Sequence, residues 1–130
     1  MKPKDVQRVT NLFLNFQQQR GTAVAEKDIN NGSCFNWALL AYRLYGGRLC
    51  TVDSFDGHAF IKIRRKYYDS ETLNGVIDWR QLKGMKYAQP QIFDAKFYEM
   101  TLMSLRRFCA YWKSNGADTL YDIYLSPPPA

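Results

Sequence analysis

"GHAFIKIRRKYYDSE", residues 57–71, decides how this chain folds. It is rich in β-branched and aromatic residues and reads as two strands joined by a tight turn at Arg64 and Arg65. A two-residue turn sets the register: Ile63 opposes Lys66, Phe60 opposes Asp69, and His58 opposes Glu71. Because side chains alternate across a sheet, His58, Phe60, Lys62, Tyr67, Asp69 and Glu71 share one face. Ala59, Ile61, Ile63 and Tyr68 share the other. A one-residue bulge would put His58 and Asp69 on opposite faces.

His58 is the only histidine, so any imidazole chemistry must use it. A carboxylate at Asp69, its diagonal neighbour, can accept a hydrogen bond from one ring nitrogen and fix the tautomer, leaving the other nitrogen facing outward. Glu71, directly opposite, is the rival; the shorter Asp69 side chain suits a fixed hydrogen bond better.

Upstream, "NGSCFNWALLAYRLYGG" (residues 31–47) carries a helix from Cys34 to about Tyr45, ended by glycines. It is apolar nearly all round (Phe35, Trp37, Ala38, Leu39, Leu40, Ala41, Leu44) and therefore belongs inside the domain. A thiol in its first turn feels the positive end of the backbone dipoles, which eases ionisation. If this helix packs on the face bearing His58, the Cys34 thiol meets the free ring nitrogen. Cys50 and Cys109 read as packing residues.

Residues 4–20 place Val6, Val9, Leu12, Phe13 and Phe16 at helical spacing, an amphipathic helix stopped by Gly21. "LCTVDSF" (49–55) reads as a short strand, and 79–82 as a helical turn in a loop-rich stretch punctuated by Gly75, Gly84 and Pro90. Phe97, Thr101, Leu105, Phe108 and Trp112 suggest a third helix over 94–113, followed by a last strand in "TLYDIYL". The pattern is that of an α+β domain: an antiparallel sheet of four or five strands packed against the helix that carries the cysteine.

The length, 130 residues with 46% hydrophobic content, fits a single domain over 1–130. No apolar run is long enough to span a bilayer and the N-terminus lacks the apolar core of a signal peptide, so the chain reads as cytoplasmic, with no membrane association. Three widely spaced cysteines and one histidine give no metal-ligand pattern, and no cofactor motif is present. The net charge of +6 is dispersed, which favours acidic protein or peptide partners over a dedicated nucleic-acid groove.

"CFNWALLAYRLYGGRLCTV" followed by "GHAFIKIRRKYYDSE" resembles the core of the transglutaminase-like superfamily within the wider papain-like fold. A cysteine opens a helix, an aromatic residue and Ala38 follow, and His-Ala-aromatic and aromatic-Asp lie on two successive strands. "NGSCF" with Ala38 is also similar to the cysteine motif of OTU-type deubiquitinases, a weaker likeness. The first resemblance implies a papain-like scaffold with Cys34 as nucleophile, His58 as acid/base and Asp69 as third member, acting on an amide or isopeptide bond as a peptidase or transglutaminase. No upstream Gln or Trp stands in the oxyanion position, which leaves the Cys34 N–H and the side chain of Asn31 or Asn30 as donors. Trp37, Phe60 and Trp79 are candidates to line a substrate groove. The alternative is a non-enzymatic binding or inhibitory module on the same scaffold, in the manner of small phage proteins.

Overall fold

The structure, a computed structural model, describes residues 1–19, 21, 24–31, 33–52, 57–87 and 96–100. Most of the expected helix over 94–113, the strand in "TLYDIYL" and Cys109 lie outside the described residues. Helix α1 spans Pro3–Gln19 and helix α2 spans Cys34–Tyr45. They are followed by strands β1 (Arg48–Val52), β2 (Ala59–Ile63), β3 (Lys66–Tyr68) and β4 (Phe97–Glu99). The four strands form one antiparallel sheet in the order β3-β2-β1-β4, an α+β architecture. Among the described residues, no helix is long and apolar enough to cross a membrane.

The hairpin has the register its sequence dictates: Ile63 pairs with Lys66, Lys62 with Tyr67 and Ile61 with Tyr68. Arg64 takes a positive φ of 58°, as the first central residue of a primed two-residue turn must. An isolated bridge between Tyr67 and Val76 then closes the loop that follows β3, with both backbone hydrogen bonds made at 2.8 and 2.9 Å. Gly75 turns that loop at a φ of 70°, and a Cβ there would press into the Tyr68 ring.

Both faces of the sheet are buried, by different material. On one, Leu49, Ala59, Ile61 and Tyr68 pack with Trp37, Ala38, Leu39 and Ala41 of α2 and with Val6, Val9 and Phe13 of α1. The helices are pinned to each other by Trp37, whose Nε1–H donates to Thr10 Oγ1 at 3.0 Å inside this core. On the other face Cys50, Val52 and Phe60 pack with Trp79, Leu82 and Met85 from the segment after the bridge. The Phe60 ring stacks on Trp79 at 6.4 Å, and Phe97 stacks on Trp79 at 5.8 Å.

Two expectations are corrected. Helix α2 lies on the Ala59/Ile61 face and not on the face of Phe60. Small and β-branched side chains give a helix a flat bed, whereas the aromatic face is filled by the short 3-10 turns Trp79–Gln81 and Lys83–Tyr87. Phe97–Glu99, expected to begin a helix, is a strand paired with β1, with Phe97 opposite Val52.

Candidate active site

The described cysteines differ in their surroundings. Cys50 is buried in β1, where desolvation pushes its thiol up to about 12, an inert packing residue. Cys34 is the first residue of α2, half-buried, at a point where the helix end overhangs the start of β2. The backbone N–H of Ala59 donates to its sulfur at 3.4 Å, and the thiol in turn lies 3.9 Å from the Gly57 carbonyl oxygen. Gly57 can sit this close to β1 only without a Cβ, which would run into the Val52 carbonyl. So the thiol lies against the two residues that flank His58, at the start of β2, although α2 packs on the face opposite to the one expected.

His58 precedes β2 and is 2% exposed. Its Nε2 lies 2.9 Å from Asp69 Oδ2, and the two side chains are almost completely shielded from solvent. Its Nδ1 is buried without a hydrogen-bond partner. Burial on its own would lower the imidazole pKa; the hydrogen bond to Asp69 and the neighbouring Cys34 outweigh it and raise His58 to about 9. The reciprocal effect falls on sulfur. Burial opposes ionisation of Cys34, but the adjacent His58, with the N–H groups of Ala59 and Phe35, brings its pKa below the ordinary thiol value.

Asp69 is fully buried and its carboxylate is saturated. Oδ2 accepts from His58 and from the Gly84 N–H at 2.8 Å; Oδ1 accepts from the Thr72 hydroxyl at 2.6 Å and the Glu71 N–H at 3.1 Å. Burial works against the charge, yet the His58 contact and these donors hold the carboxyl below its usual range. The two supports of Oδ1 are local, and the Glu71 N–H closes an Asx-type turn in which an aspartate bonds the backbone two residues on. The Lys83 N–H donates to Thr72 Oγ1 at 3.0 Å and ties the distant Lys83–Tyr87 turn to the same carboxylate.

Glu71, the rival third member, is turned away. Its Oε1 accepts from Asn30 Nδ2 at 3.0 Å and its Oε2 pairs with Lys86 Nζ at 2.8 Å. That contact also occupies the amide of Asn30, while Asn31 is exposed on its turn. Ser33, the residue before α2, makes no side-chain capping bond, so the first N–H groups of the helix receive none from it. Of the groove candidates, Trp37 (1% exposed) and Phe60 (0%) are core residues and present no surface for a substrate. Trp79 is nearly buried between Phe60 and Phe97, with Arg80 over its ring at 4.4 Å. Among the described residues no group of three or more His, Cys, Asp or Glu side chains is placed to hold a metal ion.

The chain matches no protein-family model, no curated protein and no solved structure.

Proposed function

We propose that this protein is a cysteine-dependent hydrolase or acyl transferase acting on an amide or isopeptide bond, with Cys34 as nucleophile, His58 as acid/base and Asp69 as its orienter. The observation that carries this reading is the one-sided use of His58. Asp69 holds Nε2 at 2.9 Å, while Nδ1 has no hydrogen-bond partner and the Cys34 thiol beside it is acidified. The large majority of buried side-chain polar atoms have a hydrogen-bond partner, and an orphaned ring nitrogen beside a thiol fits a catalytic role.

The chemistry follows from those positions. The Cys34 thiolate adds to the carbonyl carbon and the carbonyl π electrons move onto oxygen, where the Cys34 N–H at the uncapped helix end supplies a donor. Collapse expels the amine, which takes the proton from His58 Nδ1, and leaves a thioester on Cys34. Water then attacks with His58 accepting its proton, which releases the acid and the free thiol. An amine in place of water gives a new amide, the transferase outcome. The order of a cysteine at a helix N-terminus, then histidine and aspartate at neighbouring strand ends, supports a transglutaminase-like or papain-like scaffold. The net charge of +6 suits an acidic protein or peptide substrate.

An electrophilic ubiquitin or peptide probe tests the reading. Covalent capture at Cys34, lost in His58→Ala, supports it. A folded protein that no such probe labels, with Cys34 alkylating no faster than Cys50, contradicts it and favours a binding module.

A further inference from the structure

We propose that Gly84 is a positioning residue of this site, a backbone roof that seals the His58–Asp69 hydrogen bond from water. The inference rests on the triad reading above. Gly84 belongs to the Lys83–Tyr87 turn, fifteen residues from Asp69 in sequence, and is buried. Its N–H donates at 2.8 Å to Oδ2, the same oxygen that His58 Nε2 meets at 2.9 Å. A Cβ built on Gly84 would lie 2.5 Å from that oxygen, 2.5 Å from His58 Nε2 and 2.6 Å from His58 Cε1, closer than carbon can pack. Its φ is not positive, unlike those of Gly21, Gly46, Gly47 and Gly75, so space and not backbone conformation demands glycine here.

Two devices hold the roof down. Leu82 and Met85 on either side are buried against the aromatic face with Phe60 and Trp79. The Lys83 N–H is tied to Thr72 Oγ1, whose hydroxyl bonds Asp69 Oδ1. The titratable groups facing His58 are Cys34 at the start of α2 and Asp69 after β3. A dry hydrogen bond between imidazole and carboxylate is stronger than one in competition with water and keeps the ring in a single orientation, with Nδ1 free for sulfur. Lifting the roof therefore acts on the thiol through two intervening groups.

The test compares Gly84→Ala, Thr72→Val and Thr72→Ser with the unmodified chain, by iodoacetamide labelling of Cys34 at pH 6 and by NMR titration of the His58 Cε1 proton. Gly84→Ala is expected to slow labelling about tenfold, the population equivalent of one pKa unit, and to lower the His58 midpoint. Thr72→Val cuts the tether without adding an atom to the roof and shifts both readouts the same way; Thr72→Ser restores them. Should Gly84→Ala fail to fold, the Thr72 pair decides. Labelling and His58 titration unchanged in the folded variants overturn the proposal. An unmodified chain in which Cys34 labels no faster than Cys50 overturns the triad reading itself.

Discussion

The backbone N–H of Ala59 points at the sulfur of Cys34 from 3.4 Å, so the first residue of β2 and the first residue of α2 are joined by a hydrogen bond to a thiol. This contact favours the thiolate and places it at the end of the strand that His58 precedes. Iodoacetamide at pH 6 is expected to modify Cys34 far faster than Cys50, whose pKa burial raises to about 12. Peptide mapping after short exposures reads both sites at once. In His58→Ala the advantage of Cys34 should disappear.

Asp69→Asn removes the charge that holds His58 while leaving most of the volume in place. Removing one partner of a buried pair costs about 3–5 kcal/mol, measurable by urea unfolding at pH 6. The pH dependence has a defined sign. His58 is raised on folding, so its contribution is complete below 6.5 and is lost as pH rises through about 9. Asp69 is lowered on folding, so its contribution is complete above 3.8 and is lost as pH falls through its folded value. The stability gap between the unmodified chain and Asp69→Asn should therefore be widest between 3.8 and 6.5, and narrow toward both extremes.

Glu71→Gln should behave quite differently. Its partner Lys86 is 52% exposed, and a pair of that kind contributes about 0–1 kcal/mol. Cys34 labelling at pH 6 should be unchanged in this variant, measured in parallel with Asp69→Asn. Loss of labelling in Glu71→Gln and not in Asp69→Asn would exchange their roles.

Trp37→Phe removes the indole N–H that bonds Thr10 between the two helices. The expected cost is about 1–3 kcal/mol, since the Thr10 hydroxyl loses its buried partner. Cys34 reactivity should survive, because Trp37 is a core residue remote in role from the thiol; comparing the unfolding midpoint with the labelling rate separates the two effects.

The hairpin was legible because its period-2 pattern and two-residue turn leave one register, and that register brings His58 to Asp69. The face taken by α2 was not legible. Phe60 and Ile61 are both fully buried, so alternation separates the faces without saying what covers each. Strand β4 escaped because Phe97 also begins a helical stripe, and three residues are too few to reveal a period. Thr72 carried a local signal, a hydroxyl three residues after an aspartate in a turn. Gly84 carried none: in sequence it is one more loop glycine, and its closeness to His58 exists only once the Lys83–Tyr87 turn has folded back over the sheet.

Titration of the thiolate ultraviolet absorbance, taken as the difference between the unmodified chain and Cys34→Ala, tests the acidified thiol most directly. The expected curve has its midpoint below the ordinary thiol value of 9.0. A difference signal that appears only at pH 9.0 or above would show that His58 does not ionise Cys34.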